Sequence, residues 1–556
     1  MKAAAKFFAE RRKARSAQKA NSVRFLRTHI FAVTVFTVFA FAACSGDEDK
    51  SGNTSSAEST VSGNNSMNSS GSSAPAHVHQ WGAWTINTLP TAAADGGEER
   101  ACSACDDKEN RSTSYSGTAG LAYELNGSGT GYIVRKGSVA EGIVYIPTMY
   151  SGLPVSQVGG ESESPGAFEG TAITSVIFLA PSNITSIGNY AFTYCYALTS
   201  VTIPDSVTTI RQYAFRQCTA LTSVIIPDSV MTIADYAFDL CDALASVSIG
   251  SGVTSIGDGV FRTSPALASI AVDAANPNYA SQDGILYNKA ITTLIKAPPA
   301  GIAGAFAVPN SVTSIGNSAF MGCTALTSVT IGSGVTTIGD LAFRGCTALT
   351  SITVDAANLN YASQNGILYN KAMTTVIQAS PAGIAGAFAV PNSVTSIGRF
   401  AFEKCISLAS VTMPDSVEGI GQSAFSGCSA LTSVTIGNGV TEIGFAAFEK
   451  CTSLASVTMP DSVTIIGNFA FDECAGLTSV TIGSGVMSIG AYAFFGCSAL
   501  TSVTVLATTP PALWVSGDVF RGNHSTRQFY VPAGSVEVYK AASEWSTYAD
   551  RIVAIP

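Results

Sequence analysis

The sequence predicts an α/β solenoid, mostly β, built from coils of about 23 residues that each run strand, turn and short helical turn, with a small module ahead of it. Two observations predict it. One short unit recurs down most of the chain, and within it apolar residues alternate over one stretch and cluster at i, i+1 and i+4 over another. Composition agrees: 46% hydrophobic residues supply a core, only 12% are charged, and 52 glycines suit a turn-rich fold.

The first regular unit starts at Leu198. Leu198, Val201 and Ile203 follow the L-x-x-L-x-L spacing of a leucine-rich-repeat strand. Alternation puts Val201 and Ile203 inside and Ser200 and Thr202 outside. Pro204 lacks an N–H and stops the strand, and Asp205-Ser206 forms the turn. Val207 and Ile210 return to the core, and Ala214, Phe215 and Cys218 fit one helical turn. Equivalent starts fall at Leu221, Leu244, Leu267, Leu326, Leu349, Leu408, Leu431, Leu454, Leu477 and Leu500, with a degenerate copy at Ile173. The repeats therefore span 173–505, behind a cap and first coil over 118–172 and ahead of a C-terminal cap over 506–556. No single coil buries its own apolar face, so stability must come from stacking.

Two coils, 273–309 and 355–391, are enlarged near-copies. In each, Gly-Ile-Leu-Tyr followed by an apolar second arm reads as a hairpin projecting from the solenoid, which makes Tyr287 and Tyr369 candidate partner contacts.

The N-terminal segment has a different logic. Residues 1–29 hold nine Lys or Arg, and an apolar run, Ile30 to Ala43, ends at Ala42-Ala43-Cys44. That run is too short for a transmembrane helix and suits a signal peptide over 1–43. The small residues before Cys44 resemble a bacterial lipobox, which implies lipidation at Cys44. Removing residues 1–43 takes nine of 29 basic and one of 38 acidic residues, leaving a formal charge of about −17, which argues against nucleic acid as a partner. Residues 44–76, almost all Ser, Gly, Asn, Thr and Ala after Asp47-Glu48-Asp49, form a tether with a reach of roughly 30 Å.

The pattern Ala-Phe-x-x-Cys-x-x-Leu-x-x-Val-x-Ile-Pro-x-x-Val, the enlarged coils, the start Leu121-Ala122-Tyr123-Glu124-Leu125 and the end Phe529-Tyr530-Val531-Pro532 together resemble the BspA-like leucine-rich-repeat surface proteins of bacteria. The resemblance implies an outer-membrane cell-surface location and, for some members, attachment to host matrix proteins, host cells or other bacteria. Residues 77–117 are similar to a small module found beside such repeats. His77, His79, Cys102 and Cys105 match the ligand preferences of a structural zinc, while a Cys102 to Cys105 or other disulfide, or free thiols, remain open.

Ten cysteines share one repeat position, from Cys195 to Cys497, and Ser264 replaces one without other disruption. They read as buried free thiols acting as small hydrophobes. Catalysis finds no support: within the repeats only His524 offers an imidazole, and no nucleophile or carboxylate sits at motif spacing from it. No cofactor beyond that zinc is implied. Variation between coils concentrates at the helical turn, where Tyr213, Tyr236, Arg216 and Arg344 are further candidate contacts. The expectation is a non-enzymatic, lipid-anchored adhesin or protein-binding scaffold, with protein or glycan ligands. The alternative is a glycan-binding or envelope structural protein that uses the Ser/Thr face.

Overall fold

The computed structural model describes residues 117–160, 166–514 and 519–556, together with the backbone of a three-stranded antiparallel sheet formed by Thr85–Thr88, Gly96–Ala101 and Lys108–Thr113. Cys44, His77, His79, Cys102 and Cys105 lie outside the residues whose side chains are described. Among the described residues no helix is long and apolar enough to cross a membrane.

Each coil contributes to two parallel sheets. In one, Ser223–Ile226 pairs in register with Ser246–Ile249, burying Val224 and Ile226 and exposing Ser223 and Ile225. In the other, two-residue strands stack as Thr209–Ile210, Thr232–Ile233 and Ser255–Ile256. Because the regular coils share one length, like residues stack on like. The Phe192, Phe215 and Phe238 rings follow at 5.1 and 5.0 Å, nearly parallel. This interior of Leu, Val, Ile, Phe, Ala and Cys is what the 23-residue period encodes.

The short helical turn takes another form. Between 211 and 218 the chain makes successive three-residue turns, with Ala214, Arg216 and Cys218 amides bonded to the Arg211, Tyr213 and Phe215 carbonyls. Tyr213 (φ 58°) and Gln217 (φ 59°) are left-handed, which a right-handed helix cannot contain. Those two residues rotate alternate amides onto the next coil: Tyr213, Phe215 and Gln217 donate to the Asp235, Ala237 and Asp239 carbonyls at 3.2, 2.8 and 2.9 Å. The turn therefore adds a third ladder between coils. Among the described residues the one α-helix is Val536–Ala541, in the C-terminal cap. There Trp545 is fully buried and donates Nε1–H to the Pro511 carbonyl at 2.8 Å.

The enlarged coils do not project. Tyr279–Gln282, Ile285–Asn288 and Thr293–Lys296 form an antiparallel meander whose last strand joins the parallel Ser314–Ile315. Ile285, Leu286 and Tyr287 are all buried, which a free hairpin could not achieve. Leu286 packs with the core before it, while Ile285 and Tyr287 pack with the core after it. Leu368, Ile367 and Tyr369 repeat this division, so the enlarged coils act as septa that part the interior into three blocks. At each septum the short sheet breaks, and a tyrosine hydroxyl meets the exposed strand edge. Tyr279 accepts from the Ile256 amide and Tyr361 from the Ile338 amide, both at 2.9 Å.

Candidate binding surface

The sequence-nominated tyrosines of the septa are core residues. Tyr287 and Tyr369 are 2% and 1% exposed, and burial pushes both hydroxyls up to about 12. They cannot contact a partner, because the strand carrying them is apolar on both faces and lies between blocks.

The other candidates sit on the turn edge. Tyr190, Tyr213 and Tyr236 are half-buried and stacked at 4.9 and 5.2 Å. Beside them runs the residue that follows each column phenylalanine, Phe215, Phe238 and Phe261: Arg216, Asp239 and Arg262. The Asp239 carboxylate is fully buried and accepts two hydrogen bonds from Arg262, Nη2 at 2.9 Å and Nε at 3.3 Å, with Arg216 Nε at 3.5 Å. The Arg262 guanidinium lies 4.8 Å from the Tyr236 ring centroid and that of Arg216 5.6 Å from Tyr213. Arg344 occupies the same column farther on. It clasps Glu403 through two bonds of 2.7 and 2.8 Å, 4.1 Å above the Phe400 ring. The structure thus brings Tyr213, Tyr236 and Arg216 together and sets Arg344 in a separate cluster.

Sequence reasoning places Asp239 and Glu403 among the variable turn residues but does not pair them with the arginines. Asp239 was visible as the opposite charge between Arg216 and Arg262 at 23-residue spacing, whereas Glu403 lies 59 residues from Arg344 because a septum intervenes. With both arginines paired, the turn edge offers aromatic edges and spare guanidinium N–H donors on a rigid frame rather than free charge.

The face of the longer sheet is a hydroxyl ladder. Thr412 stands in register with Thr435, and Thr458 with Thr481, the first three of them solvent-exposed. This exposure fits threonine's preference for a pleated surface.

All ten cysteines of the repeat column are free and buried. Their packing has a polar side that composition did not reveal. Cys218 Sγ donates to the Phe192 carbonyl at 3.2 Å and Cys241 to Phe215 at 3.2 Å, one coil back. Ser264 makes the same bond to Phe238 at 3.4 Å, which explains why serine substitutes there. Burial pushes Cys195 and Cys323 up to about 11 and Cys497 to about 12, so these three are not ready nucleophiles. Among the described residues no cluster of His, Cys, Asp or Glu is set to hold a metal.

A family model of the BspA type leucine rich repeat region matches residues 163–282, 304–380 and 385–506, more than half of the chain. The chain belongs to the BspA-type leucine-rich-repeat family. Both breaks in this BspA-type match fall inside the enlarged coils. Among solved structures, a leucine rich cell surface protein of Faecalibacterium prausnitzii is 32% identical, the match spanning 70% of this chain and 93% of that one with a TM-score of 0.45. The pneumococcal vaccine antigen PcpA is 16% identical over 79% of this chain and 98% of its own, with a TM-score of 0.38. A leucine-rich repeat protein of Eubacterium ventriosum is 22% identical over 74% and 94%, with a TM-score of 0.36. No curated protein matches.

Proposed function

We propose that the chain is an exported surface lipoprotein, anchored through Cys44 at the outer membrane, whose solenoid is a non-catalytic scaffold for binding proteins of a host matrix, a host cell or another bacterium. The observation that carries this reading is the turn edge, where half-buried tyrosines and paired arginines stand in rows on a frame held by backbone ladders. Preformed aromatic and arginine anchors of this kind concentrate binding energy in protein interfaces. The basic and apolar leader, the tether over 45–76 and the 32% identical cell surface protein support display outside the cell.

Saturable binding of the full chain to immobilised host matrix proteins, host cells or bacteria tests the proposal. Tyr213→Ala with Tyr236→Ala should weaken it about tenfold or more. Absence of saturable binding to all three sinks it. Anchoring is tested separately: Cys44→Ser should abolish palmitate labelling, and protease applied to intact cells should remove the wild-type protein. The hydroxyl ladder supports a second reading, a glycan-binding or envelope structural protein. Glycan-array binding that survives loss of the two tyrosines would favour it.

A further inference from the structure

Regular coils close on one another along the turn edge through three backbone bonds. In the coil before the second septum, Ser318, Phe320 and Gly322 donate to the Asp340, Ala342 and Arg344 carbonyls at 2.8, 2.8 and 2.9 Å. The next turn of this kind begins at Gly398, and the septum between supplies only part of a rung. Among the described residues, the amides of Leu341, Phe343 and Gly345 donate to nothing. On the opposite wall the Ala401 carbonyl takes the Ala379 amide at 2.7 Å, while the Arg399 and Glu403 carbonyls accept nothing. The third rung is replaced by side chains, Arg344 and Glu403. The first rung, between the Leu341 N–H and the Arg399 C=O, is not made.

A cavity of about 200 Å³ lies there, its walls including Ile338, Leu341, Thr375, Ile377, Arg399 and Phe400. Its rim carries Asp340 and Arg399, loosely paired at 3.6 Å and both largely exposed. At the first septum the equivalent Gly259, Phe261 and Thr263 amides likewise donate to no backbone carbonyl among the described residues, but the walls are tied by other side chains. Asn317 Nδ2 reaches across to Asp258 Oδ2 at 3.3 Å, and the buried Lys296 ammonium donates to the Arg262, Ser318 and Met321 carbonyls at 3.4, 3.3 and 3.2 Å. At the second septum Gln378 stands where Lys296 would, and its amide turns back onto the Ala379 carbonyl at 3.0 Å.

The geometry points to this cleft as a docking site for one peptide segment of a partner protein that takes the place of the missing turn. The peptide's carbonyl takes the Leu341 N–H, and its own N–H donates to the Arg399 carbonyl. The occupant is a peptide because what is missing is a backbone rung. An unpaired ladder is a template for another chain, and main-chain bonds then give affinity while wall pockets give specificity. The apolar walls suit an aliphatic side chain, and the Asp340–Arg399 pair leaves no net charge to select an ion. This rests on the protein-binding reading above and narrows it to one notch.

The probe is an N-acetylated, C-amidated peptide with the sequence of residues 338–345, the turn that fills this position in regular coils, with a scrambled peptide and N-acetylglucosamine as comparators. Added to the full chain, it should bind saturably and slow hydrogen exchange at the Leu341 amide. Thr375→Trp, which fills the cleft from an outward-facing strand position, should weaken binding about tenfold with an unchanged melting profile. An unprotected Leu341 amide, or equal affinity in the variant, overturns the proposal. Protection by N-acetylglucosamine and not by the peptide makes this a sugar site and also overturns it. Should the variant not fold, Leu341 protection in the unaltered chain decides. Binding to host matrix with Leu341 unprotected removes this cleft and leaves the broader reading standing.

Discussion

The two septa are near-copies in sequence and the same device in the core, yet they finish their surfaces differently. Both insert an Ile-Leu-Tyr strand whose alternate side chains face two blocks, and both cap a broken sheet edge with a tyrosine hydroxyl. At the first, one buried ammonium ties three carbonyls drawn from both sides of the septum. At the second, Gln378 ties none of the corresponding carbonyls, and a cleft stands open. The comparison teaches that the septum is fixed by its apolar strand, while the polar residues around it differ in how they tie the unfinished ladder.

The largest effect should fall on both sides of both septa alike. Nine of the ten column thiols titrate above their ordinary value near 9, eight chiefly because burial disfavours the thiolate and Cys405 first through its hydrogen bond with Cys428 and then through burial. Above that pH the unfolded chain loses protons that the folded chain keeps, so stability falls as pH rises, on the order of 1 kcal/mol per thiol per pH unit. Denaturant titrations from pH 8 to 10 should show a steep decline, and a flat profile would contradict the buried-thiol column.

Next, Tyr287→Ala and Tyr369→Ala should each cost about 3–5 kcal/mol, since each empties a large buried site between blocks. Matched losses in urea unfolding sharpen the equivalence of the septa, and a surface-like loss at either breaks it. Lys296→Gln converts the first septum into the second. Burial pushes the Lys296 amine down to about 8 from 10.5, so between those values the unfolded state holds a proton the folded state lacks. Wild-type stability relative to the variant should therefore rise by about 2 kcal/mol from pH 8 to 10.5, against the falling thiol background. A pH-independent difference would remove the ammonium from the comparison. The smallest effect belongs to the rim: Asp340→Ala should cost at most about 1 kcal/mol, vanishing in 1 M salt, because the pair is exposed.

Much of the fold was legible in sequence because a strict period makes each position testable many times over. Leu198, Val201, Ile203, Val207, Ile210, Ala214, Phe215 and Cys218 are all buried, as their spacing predicts. The cysteine column was legible as free thiols through Ser264. The turn was not. Left-handed backbone is announced by glycine only at Gly259 in the aromatic column, and elsewhere by Tyr, Phe, Ser, Leu or Ala, which carry no such signal. The septa misled because Gly-Ile-Leu-Tyr fits an exposed hairpin and a two-faced internal strand equally well. Three consecutive buried residues require a core on each side, and one sequence segment cannot announce both. The pairing of Arg344 was hidden for a related reason: its partner's distance depends on what the septum skips.

The septum strand also bears on how such a chain changes length over generations. Ile285-Leu286-Tyr287-Asn288 recurs unchanged as Ile367-Leu368-Tyr369-Asn370, and each copy presents the same leucine to the block before it. An in-frame deletion or duplication of residues 285–366 would create a junction that reproduces contacts already present. Leu368 takes the seat of Leu286, and no fresh interface has to be invented. The septum is thus a joint at which a whole cassette could be removed or added without a new interface.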